Sequence, residues 1–123
     1  MFRLRVQNSF SSAHVLRNYD GKCAKLHGHN WKVEVIIAKN TVDDIGISID
    51  FKKAKDMLKE SLDYLDHCYL NDMDEFKDLN PTAENISRYI YNTLSPKFDE
   101  LGGKLEKVII WETDNNRLEY SEN

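Results

Sequence analysis

The densest group of reactive side chains lies between Cys23 and His29, in the segment Cys-Ala-Lys-Leu-His-Gly-His. Side chains alternate between the two faces of an extended strand, so His27 and His29 would point to the same side and could bind one ion. His14 is the candidate third ligand, because it ends another strand-like segment. Three histidines would leave zinc a fourth position for water or substrate. From these residues alone, a polar surface strand remains an equal alternative.

The composition limits the class of protein. With 123 residues, of which 41% are hydrophobic and 31% charged, the chain is predicted to form one domain over residues 1–123. A formal net charge of −4, with basic residues dispersed among acidic ones, argues against nucleic-acid binding. The sequence has neither the ~18 apolar residues of a membrane span nor a signal-peptide pattern. Two cysteines are too few for a disulfide framework, so we expect a cytoplasmic protein.

Hydrophobic alternation predicts the strands that would position these histidines. Apolar residues on even positions predict a half-buried strand over 2–10 that brings His14 near its end, and a second strand follows over about 29–38. These two strands would pair in antiparallel orientation. Two further strands are predicted over 105–113 and 117–120, separated by a turn.

Helical spacing of apolar residues predicts two helices between the strand pairs. The first covers about 51–65, with Asp50 as its N-cap. The second begins at Asn80 and Pro81, with Asn80 as the cap, and ends near Pro96. The order ββααββ predicts an α+β fold, in which a four-stranded antiparallel sheet carries both helices on one face.

Six short motifs occur in order along the chain, and together they resemble one family of enzymes. The motifs are Ser12-Ala13-His14, Cys23-x-x-x-His27-Gly28-His29-Asn30-Trp31, Gly46 to Asp50-Phe51, Leu65-Asp66-His67-x-x-Leu70-Asn71, Asn80-Pro81-Thr82-Ala83-Glu84-Asn85 and Trp111-Glu112-Thr113. This set closely resembles the family of 6-pyruvoyltetrahydropterin and 6-carboxytetrahydropterin synthases. The resemblance implies a tunnelling fold, in which sheets join edge to edge into a barrel and two trimers stack as a homohexamer with active sites at subunit interfaces.

The resemblance also implies roles for individual residues. The residues matching the family's Zn²⁺ ligands are His14, His27 and His29. Cys23 matches the catalytic general base, and Asp66 with His67 matches the pair that helps transfer protons. A thiolate base needs a cationic or hydrogen-bonding neighbour, which His67 could supply. From the residues alone, Asp66 and His67 could also cap the end of the first helix. The other cysteine, Cys68, is interpreted as a packing residue.

Substrate-binding residues are implied in the same way. Glu112 matches the carboxylate that binds the amino and ring N–H groups of the pterin, a two-point contact that suits a carboxylate. Without the resemblance, Glu112 would be interpreted as a solvated carboxylate. Thr82 and Glu84 match further pocket residues. Arg17, Lys22 and Lys25 flank the metal-binding segment, and each could bind a phosphorylated tail or could simply be solvated.

The implied substrate is 7,8-dihydroneopterin triphosphate, and the family is divided by product. One branch forms 6-carboxytetrahydropterin for queuosine and other deazapurines and releases acetaldehyde, whereas the other keeps the side chain as 6-pyruvoyltetrahydropterin. The compact length, the three residues between Cys23 and His27, and the stretch 49–51 favour the first branch. The alternatives are the pyruvoyl enzyme and a protein that binds zinc or pterin without catalysis.

Overall fold

The computed structural model describes residues 1–21 and 24–122. These residues form strands β1 (Phe2–His14), β2 (His27–Lys39), β3 (Cys68–Tyr69), β4 (Lys104–Thr113) and β5 (Asn116–Tyr120), and helices α1 (Phe51–Asp63) and α2 (Ala83–Glu100). Two short 3-10 turns, Leu70–Asp72 and Asp74–Phe76, lie between β3 and α2. In the part of the chain described, neither helix is long and apolar enough to cross a membrane.

The described strands form one sheet in the order β3-β1-β2-β4-β5. The four long strands pair in antiparallel orientation, which confirms the predicted α+β arrangement. The structure adds a fifth strand that was not predicted, because β3 pairs parallel to β1 through Ser12 with Cys68 and Ala13 with Tyr69. A two-residue strand has too few side chains to show a hydrophobic period, so only tertiary pairing reveals it.

The hydrophobic core lies between one face of the sheet and the two helices. Alternate residues of β2 supply its centre, since Trp31, Val33, Val35 and Ile37 are fully buried. Helix α1 packs against β1, and α2 packs against β4 and β5. Each helix adds an apolar stripe to this core: Ala54, Leu58 and Leu62 from α1, and Ile86, Ile90 and Leu94 from α2. The histidines on β2 therefore lie at one end of the strand face that packs against the helices.

The first helix begins as predicted, but the second differs at both ends. Asp50 caps α1 by accepting a hydrogen bond from the Lys52 N–H at 2.9 Å. Helix α2 is instead capped by Thr82, because the Asn80 side chain is bonded to the backbone of Arg17. Helix α2 also continues past Pro96 to Glu100.

Candidate active site

Pairing of β1 with β2 brings the three histidines together. His14 lies directly opposite His27, while His29 faces Ser12 and so lies diagonally from His14. The Nε2 atoms of His14 and His27 are 3.0 Å apart, and the ring centroids of His27 and His29 are 4.8 Å apart. The period of two in β2 therefore places the two histidines of the His-Gly-His motif on the same side of the sheet.

Hydrogen bonds to the backbone orient two of the rings. His14 Nδ1 lies 2.7 Å from the Pro81 carbonyl oxygen, and His27 Nδ1 lies 2.7 Å from the Lys25 carbonyl oxygen. A carbonyl oxygen can only accept, so each Nδ1 carries the proton and each Nε2 presents a lone pair. This arrangement of the outer ring nitrogen is typical of metal-binding histidines.

The inner nitrogens of this cluster lack ordinary partners. If each Nδ1 carries its ring's only proton, two Nε2 acceptors lie 3.0 Å apart in His14 and His27, which is unfavourable unless a cation or a further proton lies between them. His29 Nε2 is buried and has no hydrogen-bond partner within the described residues. A metal ion would accept a lone pair from each nitrogen, and imidazole is a preferred ligand of zinc. The residues present therefore fit such an ion.

A carboxylate joins the three histidines. Glu112 Oε1 lies 3.0 Å from His29 Nε2 and 4.0 Å from His14 Nε2. One ligand atom from each of the four side chains lies within 4.8 Å of the others, so the group could hold a metal ion. The sequence predicted Glu112 only as a substrate-binding residue. Its approach to the histidines depends on the pairing of β2 with β4 and has no signal in the local sequence.

Trp31 forms a buried support beneath the histidine cluster. Its ring meets those of His14 and His29 edge to face, each at a centroid distance of 5.1 Å. On its other side it stacks on Phe10 at 5.9 Å. Because Trp31 is fully buried, it restricts the rotamers of both histidines. The alternation of the second predicted strand places Trp31 and Val33 on one face, but it gives no signal for this contact with the site.

Burial also affects protonation of the cluster. Desolvation lowers the pKa of His14, and the opposing hydrogen bond to the Pro81 carbonyl only partly offsets this effect. Desolvation likewise lowers the pKa of His29, against the attraction of Glu112. Both rings are therefore held in the neutral form that can bind a metal.

These pKa shifts predict the pH dependence of stability of the metal-free protein. The unfolded chain takes up protons on His14 and His29 near their ordinary pKa of 6.5, whereas the folded chain takes them up only at lower pH. Stability is therefore fully retained above pH 6.5 and falls as the pH drops below it. Urea midpoints measured at pH 7.5 and 5.5 should show this loss, and the loss should be smaller in His29→Asn. Equal losses in both proteins would contradict the assignment of this pH dependence to His29.

Asp66 and His67 form a second, separate pair. The Ser11 N–H donates to Asp66 Oδ1 at 2.8 Å, and His67 Nδ1 lies 2.8 Å from Asp66 Oδ2. These contacts, first the backbone N–H of Ser11 and then His67, lower the pKa of Asp66. Helix α1 ends at Asp63, so the imidazole pairs with a carboxylate rather than with the helix carbonyls. The His67 side chain is 83% exposed and is not part of the four-residue cluster.

The backbone of His67 is in the left-handed region, with φ of +55°. This conformation costs a residue with a Cβ about 1–2 kcal/mol, whereas glycine adopts it freely but loses more entropy on folding. We therefore expect the free energy of unfolding of His67→Gly to exceed that of His67→Ala by about 0.5–1 kcal/mol, as measured by urea denaturation. His67→Ala is the control, because it also loses the ring and its contact with Asp66 but keeps the strain. Equal stability of the two variants would refute the role of the backbone.

The predicted pterin-binding carboxylates share a cavity beside the histidine cluster. Glu84 and Glu112 both line this cavity of about 180 Å³, together with Ile110, Arg117 and Leu118. Apolar walls with two carboxylates suit a flat heterocycle that carries N–H donors. Thr82 lies next to this wall, and its hydroxyl oxygen accepts from the Asn85 N–H as the helix cap.

Five other residues of the sequence analysis have different outcomes. Cys23 and Lys22 lie outside the described residues. The Lys25 carbonyl oxygen accepts from His27, so the residue touches the cluster through its backbone. The guanidinium of Arg17 donates to the carbonyl oxygens of Phe76 and Lys77. The Cys68 thiol donates to the Asp66 carbonyl oxygen at 3.2 Å.

The comparisons with known proteins agree on one family. The family model described as 6-pyruvoyl tetrahydropterin synthase matches residues 3–123. A 6-pyruvoyl tetrahydrobiopterin synthase of Dictyostelium discoideum is 37% identical over 90% of this chain and 89% of its own length. A 6-carboxy-5,6,7,8-tetrahydropterin synthase of Haemophilus influenzae is 31% identical over 99% of this chain and 100% of its own length.

The solved structures support the same relationship. The 6-pyruvoyl tetrahydropterin synthase of Caenorhabditis elegans has a TM-score of 0.86 and 30% identity, and the alignment covers 99% of this chain and 96% of that one. This similarity confirms the predicted tunnelling fold. The sheet of the described chain differs from the predicted one by the additional short strand β3.

Proposed function

Because this chain belongs to the 6-pyruvoyl tetrahydropterin synthase family, we propose that it is a zinc-dependent lyase acting on 7,8-dihydroneopterin triphosphate. With water, the reaction gives 6-carboxytetrahydropterin, acetaldehyde and triphosphate. The main supporting observation is the cluster of three histidine nitrogens beside a cavity that carries Glu84 and Glu112. Membership of the family supports the activity of a pterin synthase. We propose in addition that the metal is zinc and that the product is 6-carboxytetrahydropterin.

The metal site would be formed by His14, His27 and His29. Bound zinc would supply Lewis acidity toward the hydroxyl groups of the substrate side chain. The hydrogen bonds of His14 and His27 to backbone carbonyls keep their Nε2 atoms turned inward. Trp31 and Phe10 exclude water from one side of this cluster.

The pterin ring would lie in the cavity beside this cluster. Glu112 would accept hydrogen bonds from the amino group and a ring N–H, and Glu84 and Thr82 would add polar contacts at the N-terminal end of α2. This position turns the side chain of the substrate toward the histidines. Lys25, next to the same cluster, remains the candidate for contact with the triphosphate.

Proton transfer would use Cys23 as the general base and His67 as its partner. The hydrogen bond from the Ser11 N–H fixes Asp66, which in turn orients the imidazole of His67. The exposed ring is well placed to meet another subunit, because little of the same chain covers it. As the family resemblance implies, we propose a homohexamer, a dimer of trimers, with active sites at the subunit interfaces.

Relatives that match this chain are named for two different products. Relatives of both names match this chain over most of its length. The Synechocystis relative, named 6-carboxy-5,6,7,8-tetrahydropterin synthase, is 35% identical over 98% of this chain and 93% of its own length, which supports the carboxy product. The protein would then act in the cytoplasm, and its product would be used to make queuosine or another deazapurine. The 37% identity to the Dictyostelium synthase favours the pyruvoyl product as the second candidate.

Product analysis tests this function directly. The zinc-loaded protein is incubated with 7,8-dihydroneopterin triphosphate, the pterin product is identified by mass spectrometry, and acetaldehyde is assayed in parallel. We expect 6-carboxytetrahydropterin and acetaldehyde in equal amounts. A pyruvoyl product without acetaldehyde would assign the second candidate, and absence of turnover would refute both enzymes in favour of a binding protein. Protein stripped of metal is the control and should be inactive.

A further inference from the structure

We propose that Glu112 is the fourth metal ligand in the substrate-free protein and that it leaves the metal to bind the pterin ring. The first half of this proposal concerns the metal alone. The second half rests on the proposed function, since it requires a pterin in the cavity. Glu112 would thus close the metal site when substrate is absent and open it when substrate binds.

The distances around Glu112 match those between ligands of one ion. Around a tetrahedral zinc with bonds of about 2.0–2.1 Å, neighbouring ligand atoms are separated by roughly 3.3 Å. Glu112 Oε1 lies 3.0 Å from His29 Nε2 and 4.0 Å from His14 Nε2. The His14 and His27 nitrogens, both proposed ligands, are 3.0 Å apart. The carboxylate oxygen is therefore as close to His29 Nε2 as the Nε2 atoms of His14 and His27 are to each other.

The contact between His29 and Glu112 lacks the alignment of a good hydrogen bond. His29 Nε2 has no hydrogen-bond partner among the described residues, although Glu112 Oε1 is 3.0 Å away, so the contact has the distance but not the geometry of a hydrogen bond. A shared cation between the nitrogen and the oxygen explains both facts. The carboxylate would also offset part of the charge of a divalent ion in a buried site.

The same carboxylate also faces the substrate cavity. Glu112 lines the cavity that contains Glu84, and its side chain is 32% exposed. A two-point contact with a pterin uses both carboxylate oxygens. An oxygen bound to the metal has only one lone pair left, and the metal sets its direction, so we expect Glu112 to form that contact in full only after it leaves the metal. Binding of the ring would therefore remove a protein ligand and vacate a position for the side chain of the substrate.

Metal affinity tests the first half without any turnover. Zinc affinity is measured by competition with a chromogenic chelator for the wild-type protein, Glu112→Gln and Glu84→Gln. Loss of a direct ligand is expected to weaken zinc binding at least as much as loss of a supporting residue, about 10–100-fold. Glu84→Gln is the matched control, because Glu84 lines the same cavity but lies outside the cluster. Equal affinity in Glu112→Gln and wild type would overturn the proposal.

Cobalt spectroscopy on the wild-type protein tests the exchange. Co²⁺-loaded protein is titrated with unsubstituted pterin, which lacks the hydroxylated side chain, and binding is followed independently by equilibrium dialysis. We expect the visible absorption bands of the cobalt to change as pterin binds, and Glu112→Gln to lack this change. Binding with an unaltered spectrum would overturn the exchange. Failure of the proposed lyase reaction would leave both measurements informative, because neither depends on catalysis.

Discussion

Replacing His29 with alanine is expected to remove most of the bound metal and to lower turnover at least ~10²-fold, because three nitrogens no longer converge on the ion. His29 has a special position in the cluster, since its Nε2 is the buried nitrogen without a hydrogen-bond partner among the described residues. Alanine at this position also removes the ring that packs against Trp31. Metal content after dialysis, measured by mass spectrometry, and product formation are the two measurements.

The matched control for this variant is His67→Ala. His67 is the one histidine of the sequence outside the four-residue cluster, and its ring is exposed. This variant should retain its metal and lose only turnover. Unchanged metal content in His29→Ala would show that the histidine cluster is not the metal site. Metal loss in His67→Ala would show that metal binding also depends on His67, which lies outside the four-residue cluster.

Cys23→Ala is expected to keep the metal and the fold and to lower turnover by ~10² or more, the scale for losing a positioned general base. The reason is chemical, since alanine has no group that can accept a proton from the substrate. The comparison uses turnover at saturating substrate, with metal content and thermal unfolding measured on the same samples. A matched loss of metal would point to a structural defect instead of a missing base.

Cys68→Ala is the control for the cysteine experiment. Cys68 is partly buried, and its thiol donates to the Asp66 carbonyl oxygen. Removing this weak hydrogen bond should leave turnover close to that of the wild type. Near-normal turnover in Cys23→Ala would exclude Cys23 from the mechanism. A loss of the same size in both variants would indicate a general effect of removing a thiol.

Local sequence patterns were sufficient for the elements whose signals lie within a few residues. The alternation in β2 identified the buried face that includes Trp31 and Val33, because a strand side chain must point to one face or the other. The Asp50 cap was found for the same reason, since its partner is the N–H of Lys52. The predicted sheet of four antiparallel strands and the tunnelling fold were confirmed.

Distant contacts decided where the second helix begins and ends. Asn80 is a good cap by residue type, but its amide is bonded to the backbone of Arg17, and Thr82 caps the helix instead. Proline usually ends a helix because it lacks an N–H, so Pro96 predicted the end of α2. Here the helix continues, and Phe98 beyond the proline is fully buried in the core. Both outcomes depend on partners that the local sequence does not reveal.

In the candidate site, too, some features follow from the local sequence and others from distant contacts. The sequence by itself predicted that His27 and His29 share a face, because a period of two requires only the strand between them. Only the tertiary structure brought Glu112 to His29, through pairing of Trp111 in β4 with Lys32 in β2. A shift of this register by one residue would turn Glu112 to the opposite face of the sheet. Strand register depends on burial of apolar residues over the whole core, so the residue types next to Glu112 cannot specify it.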